Sequence, residues 1–271
     1  MSEPTPTIRR RANQHGPARI GLWGPPIVLL AALVALMYVV NLLLGSKNFL
    51  LPQPHVVLSR LVEPKVAPDI WIALWHTTEV ALVGLAIAIV IGVLWAIAMN
   101  QARWVERTLF PYAVILQAIP ILAITPLIGF WFGYDFPSRV VVCVMIALFP
   151  MVSNTLFGLQ SVDKSHRELF KLQGAGRWTV LTKLELPSAL PAIFAGMRIS
   201  AGLSVVGAIV GDFFFQRGTP GIGALISKFT ARLQSADLLA SVLVASLLGV
   251  VIFLLFGWLG RRAVGKWYDF G

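Results

Sequence analysis

Charged residues are scarce in this chain, 13% of 271 positions, and acids scarcer still, with 12 Asp and Glu against 22 Lys and Arg. A soluble domain of that length needs far more polar surface. With 57% apolar residues and a mean hydropathy of +0.80, the chain reads as an integral membrane protein. A single cysteine, Cys143, excludes a disulfide framework, and its place in the run Val140 to Ile146 points to packing. Four histidines (His15, His55, His76, His166) are scattered, and neither His-Glu-x-x-His nor Gly-x-Ser-x-Gly occurs. Neither a metal set nor a catalytic constellation is therefore offered. The Gly-rich stretch Gly218 to Gly223 lacks the Lys-Ser/Thr that would hold phosphate and Mg²⁺. The net charge of +10 does not argue for nucleic acid, because Lys and Arg gather at the ends of apolar segments, as membrane topology requires.

Six segments are long and apolar enough to cross a hydrocarbon core of about 30 Å. They run from Ile20 to Leu44, Trp71 to Met99, Leu109 to Phe132, Val140 to Leu159, Ala192 to Val210 and Leu238 to Leu259. The first is too long for a signal h-region and no Ala-x-Ala site follows it, so it is expected to be retained. The third holds Pro111, Pro120 and Pro126. It should kink, and its freed carbonyls need protein or water nearby, which places it inside the bundle. Two readings of Pro120 and Pro126 stand side by side, simple bending and the lining of a pathway.

With the N-terminus inside, fourteen Lys and Arg fall on the inner side and seven on the outer, with Arg198 left within a span. Both termini are then expected in the cytoplasm. The layout is a cytoplasmic tail (residues 1–19), a first span (20–44), an extracytoplasmic segment (45–70), a core of five spans (71–260) with a cytoplasmic loop at 161–188, and a cytoplasmic tail (261–271).

That loop is a polar island. Val162 to Phe170 is helix-compatible, Gly174 allows a turn at positive φ, and Trp178 to Leu186 makes a second short amphipathic stretch that Pro187 should stop. Two short helices joined at a glycine would make a compact knob. Physical pattern alone supports either a docking surface for a soluble partner or a helix pair lying on the inner leaflet.

The spacing of the island resembles the permeases of binding-protein-dependent ABC importers, whose cytoplasmic loop carries Glu-Ala-Ala, three residues, Gly, nine residues, Ile, one residue and Leu-Pro. Here the corresponding residues are Glu168-Leu169-Phe170, Gly174, Leu184 and Leu186-Pro187, with apolar replacing apolar at three positions. Phe49 to Pro54, Trp131-Phe132-Gly133, Pro187 to Pro191, Gly196-Met197-Arg198 and Gly221-Ile222-Gly223 are similar to the branch that handles taurine, alkanesulfonates, nitrate and cofactor precursors such as thiamine pyrimidine or riboflavin. A basic residue often found in the second span of such permeases is replaced by His76-Thr77-Thr78-Glu79, which tilts the expectation toward cofactor precursors.

The resemblance implies an all-α membrane fold of the type I importer kind and a permease that is not itself an enzyme. It implies a second copy of the permease, two cytoplasmic ATPase subunits that bind ATP and Mg, and an extracytoplasmic solute-binding protein. Glu168, Leu169, Phe170, Gly174, Ala175, Arg177, Leu186 and Pro187 would form the ATPase-coupling surface. Glu168 would pair with a basic group on the ATPase, and Leu169 and Phe170 would fill its apolar cleft.

Intramembrane polar groups nominate a substrate pathway, because ionisable groups are costly in lipid. His76, Glu79, Arg198 and Asp212 qualify by charge, and Gln117, Pro120, Asn154 and Thr155 by hydrogen bonding or chain breaking. Competing readings are an inner-surface clamp for Arg198, interfacial water for His76 and Asp212, and helix-to-helix bonding for Gln117, Asn154 and Thr155. Phe213-Phe214-Phe215 is either an outer gate or an interface anchor. A rival function, an ion-coupled secondary transporter or channel, would share these features, although no repeated half is evident.

Overall fold

The computed structural model describes residues 20–45 and 50–265. The expected tail 1–19, Lys47, Phe49 and the end of the C-terminal tail from residue 266 lie outside the described residues. Residues up to His55 form one unit and those from Val56 a second. In the first unit, helix α1 spans Ile20–Leu44, and its apolar side chains from Ile27 to Leu43 are mostly exposed. Asn41 Nδ2 donates to Leu51 O at 2.5 Å.

All the regular secondary structure among the described residues of the second unit is helical. Its elements are α2 (Pro54–Arg60), which begins at the unit boundary, α3 (Ala67–Asn100), α4 (Arg103–Ala118), α5 (Ile121–Phe132), α6 (Phe136–Gln160), α7 (Lys164–Leu172), α8 (Arg177–Val180), a π turn (Leu181–Glu185), α9 (Leu186–Phe214), α10 (Ile222–Ala231) and α11 (Ser235–Val264). Among the described residues five helices are long and apolar enough to span a membrane, and there are six if the bent pair α4–α5 is counted as one broken span.

The centre of this unit is the trio α3, α6 and α9. Helices in lipid gain little from the hydrophobic effect between them, so close packing must hold them together. Small residues supply it. A Cβ at Gly207 of α9 would lie 2.7 Å from Cys143 Cα of α6, one at Gly92 of α3 would lie 2.8 Å from Met151 Cβ, and one at Gly158 of α6 would lie 2.8 Å from Ala192 Cβ. Cys143 is fully buried in that seam, in keeping with a packing role. Ser200 Oγ adds a bond between α9 and α6 by donating to Ala147 O at 2.7 Å.

Two expectations change. The third span is not one kinked helix but two, bent by 99°. Ile119, before proline, takes the extended conformation (φ −63°, ψ 125°) that proline imposes on its predecessor, and Pro120 starts the next helix with no N–H to satisfy. Nor is this pair inside the bundle of a single chain. Among its residues only Ala113, Thr125, Ile128 and Gly129 are buried.

The second change concerns Pro187, which does not stop the helix. Arg177 to Phe214 is one apolar rod of 38 residues. Its ladder widens to a π turn just before the proline, with Leu186 N donating to Leu181 O, so the missing proline N–H is absorbed without a break.

Candidate functional site

The polar island folds as a helix, a turn and the start of the α9 rod. Asp163 caps α7, accepting from Ser165 N at 2.9 Å and Ser165 Oγ at 3.0 Å. Those two bonds hold the exposed Asp163 carboxyl below its ordinary pKa. At the other end Gly174 takes φ +69°, while Gly174 N donates to Lys171 O at 3.1 Å and Ala175 N to Phe170 O at 3.0 Å. This is a Schellman closure, and it needs the left-handed conformation that glycine adopts without strain. The turn between the two helices is therefore fixed.

A polar latch ties the knob to the bundle. Glu185, nearly buried in the π turn, accepts from Asn100 Nδ2 at the end of α3 at 2.6 Å. Its other oxygen lies 3.3 Å from Arg167 Nη2 on α7. The same Nη2 donates to Leu159 O of α6 at 2.7 Å. Four elements thus meet at one carboxylate and one guanidinium. Beside them lies a cavity of about 320 Å³ bordered by Asn100, Lys171, Ala175, Arg177 and Glu185.

Outward from the latch, α7 and α8 show apolar side chains to solvent. Leu172 is 86% exposed, Trp178 76% and Leu169 50%, while Phe170 and Ala175 are half-buried and Glu168, Gly174 and Arg177 exposed. Leu186 and Pro187 are half-buried in the α9 rod. Glu168 forms no ion pair among the described residues. Sequence reasoning missed Asn100, Arg167 and Glu185 as a group. An acid between Leu184 and Leu186 was their one local signal.

The far end of the bundle carries a second network. Arg139, 2% exposed, donates through Nε to Phe215 O (2.9 Å), through Nη1 to Thr219 O (2.9 Å) and through Nη2 to Arg217 O (2.8 Å). Its Nη1 also lies 3.3 Å from Asp212 Oδ1. Asp212 Oδ2 accepts from Thr77 Oγ1 at 2.6 Å, and Thr77 Oγ1 accepts from Ile222 N at 2.8 Å. Gly221 and Gly223 permit the approach, since a Cβ at either would collide with Asp212. The loop from 215 to 222 is thereby clamped between α3, α6 and α9.

Residues 88–265 match the family of binding-protein-dependent transport system inner membrane components. The chain belongs to that family. It is 32% identical over 267 residues to the riboflavin transport system permease protein RibX of Chloroflexus aurantiacus, covering 98% of this chain and 97% of the relative. Identity is also 32% over 209 residues, 77% of this chain and 82% of the relative, to the formylaminopyrimidine transport permease protein ThiX of Halalkalibacterium halodurans. A solved amino acid ABC transporter chain shares the fold at a TM-score of 0.56 and 18% identity, covering 75% of this chain and 98% of that one. The MetNI methionine ABC transporter does so at 0.54 and 19%, covering 74% and 95%. The chain is the permease subunit of an ABC importer, a multi-pass protein of the inner membrane, and the secondary-transporter alternative is not favoured.

Within the permease the nominated pathway residues do not form one group. Asp212 has no exposed surface and is committed to Arg139 and Thr77, so it belongs to the clamp and not to a solute-facing wall. Arg139 is likewise a buried residue of the clamp. Arg198 lies on α9 with its guanidinium 4.1 Å from the centre of the Phe253 ring on α11. Asn154 Nδ2 donates to Pro150 O of its own helix at 2.8 Å, and Thr155 is buried beside it. Gln117 and Pro120 are exposed at the 99° bend. His76 Nδ1 lies 3.2 Å from Glu79 Oε2, and both side chains are part-exposed on α3. Phe215 is buried beneath Tyr134, whereas Phe213 and Phe214 remain exposed.

Proposed function

We propose that this permease pairs with a second copy, receives its solute from an extracytoplasmic binding protein and is driven by two cytoplasmic ATPase subunits that dock on the segment from Asp163 to Pro187. The observation that carries this reading is mechanical. The docking segment is continuous with α9 through the π turn and is latched to α3 and α6 through Glu185 and Arg167. A push on Leu169, Leu172 or Trp178 would reach three core helices as a rigid-body displacement, as two-state transporters require. In this arrangement the segment and both termini face the cytoplasm, and ATP and Mg²⁺ are bound by the ATPase.

Gly174→Val tests the coupling. Valine is strained at φ +69°, so the turn should reopen, ATPase capture should fall and uptake should be lost while the permease still inserts. Normal uptake with normal ATPase association would refute the assignment.

The solute we propose is a small planar nitrogen heterocycle of the cofactor-precursor kind. The two relatives at 32% identity are described as transporting formylaminopyrimidine and riboflavin. His76 and Glu79 supply the donor and acceptor chemistry that ring nitrogens and amino groups pair with. Thermal-shift screening of the partner binding protein against such heterocycles and against sulfonates separates the classes. Stabilisation by sulfonates alone would overturn the heterocycle reading.

A further inference from the structure

A positive charge near the membrane surface needs an anion, and Arg198 has none among the described residues. Its Nε is buried without a hydrogen-bond partner, and its guanidinium lies over the Phe253 ring. Gly257 of α11 makes room for it, since a Cβ there would sit 3.1 Å from that Nε. Arg198 and Arg261 border a cavity of about 390 Å³ between α9 and α11, walled by Phe194, Phe256 and Gly260.

Depth places this cup at a headgroup. The rod from Arg177 to Phe214 is about 57 Å long at about 1.5 Å per residue, nearly twice a hydrocarbon core of about 30 Å. Arg198 lies about 24 Å from its Phe214 end by the same rise, about 6 Å inside the knob-side boundary of a core of about 30 Å, a depth from which an arginine side chain reaches the headgroups. Arg261, in the last turn of α11, lies at that same end.

The cup opens into a second feature. Phe253 also borders an apolar cavity of about 600 Å³ that continues along α9 and α11 past Gly202, Val206, Gly249 and Val242. From Arg261 to Gly249 the cup and the groove together follow α11 for about 18 Å, slightly more than the hydrocarbon depth of one leaflet, about 15 Å, and the groove continues past Val242 and Phe213 toward the other face. Small residues hollow it out, since a Cβ at Gly202 or Gly249 would meet only one atom, at 3.9 Å. A doubly basic cup near the membrane boundary that leads into an apolar channel has the polarity of a phospholipid, and the stretch from Arg261 to Gly249 has its length.

We propose that the cleft between α9 and α11 is a binding site for an anionic phospholipid, with the phosphate held by Arg198 and Arg261 and an acyl chain lying along Gly202 and Gly249. Basic pockets between membrane helices select anionic headgroups in this way. Helix α1 is a poor competitor for the cup, because Ile20 to Leu44 contains no acid. The site involves neither the coupling segment nor the solute, so it stands apart from the proposed transport arrangement.

Native mass spectrometry of the full-length permease in detergent, titrated with phosphatidylglycerol, phosphatidylcholine or inorganic phosphate, tests it. Phosphatidylglycerol should be retained over phosphatidylcholine, and exposed Arg261→Gln should lower that retention about fivefold. Arg198→Gln should do at least as much, and Arg198→Lys should restore part of it. Gly249→Leu, which fills the groove and leaves both arginines, should lose the lipid. Equal retention of the two lipids, indifference to Arg261→Gln, or a permease dimer carrying no lipid would overturn the proposal. Retention of phosphate without lipid would assign the cup to a free anion and overturn it as well. None of these readouts requires transport, so a failure of the ATPase assignment would leave this result standing.

Discussion

Asp212 has no contact with solvent, and its charge is tolerated only because Arg139 and Thr77 surround it. Removing one partner of such a pair strands the other charge, at a cost of about 3–5 kcal/mol. Arg139→Met also abandons three carbonyls that the guanidinium now serves. Thermal unfolding of the purified permease should therefore show a large loss for Arg139→Met and a smaller one for Arg139→Met combined with Asp212→Leu. If the double variant were the worse of the two, the ion pair would not be the organising contact. A gentler case is Asp163, whose pKa is lowered by its cap bonds. A group with a lowered folded pKa stabilises above its ordinary value and loses that contribution as pH falls through the folded one. Amide protection at the start of α7, taken relative to intrinsic exchange at each pH, should thus be full near neutrality and decline below about pH 4, and Asp163→Ala should remove that decline.

Among the elements, the α9 rod departs furthest from its sequence. The turn at Gly174 was legible in the sequence, and its Schellman closure follows from elementary backbone sterics. Pro187 was not, because a proline read locally ends a helix, and only the widened π turn before it, a feature of the folded chain, lets the helix continue. Asn100, Arg167 and Glu185 were invisible as a set for a related reason. Arg167 and Glu185 share the segment 161–188, but Asn100 ends α3, and nothing local in a sequence reports a contact between residues 85 positions apart. Their meeting carries a prediction. Glu185→Gln keeps the shape and an acceptor for Asn100 but removes the charge facing Arg167. Uptake should fall about 2- to 30-fold, the range over which residues on a coupling route act, while ATPase capture is unchanged. Loss of capture instead would make Glu185 a folding residue and not a transmitter.

For the whole molecule, the decisive fact is that the bent pair α4–α5 is left uncovered. Broken helices survive at membrane depth only where protein or water meets the freed backbone groups. Here the break at Pro120, with Gln117 beside it, faces outward from a single chain. The sequence showed three prolines and suggested burial within one bundle. The structure leaves that surface exposed, and in the proposed pairing with a second copy this is where a water-filled seam would run. Cys143, the chain's sole cysteine, is fully buried, so Gln117→Cys introduces one accessible thiol on an otherwise silent background. In the assembled transporter a charged, membrane-impermeant thiol reagent should modify it, and addition of ATP with the loaded binding protein should change the rate. In lipid the same thiol would be out of reach of a charged reagent. Absence of labelling in both conditions would mean that the break faces acyl chains, and the pathway would then have to run elsewhere, with the His76–Glu79 face of α3 as the next surface to probe.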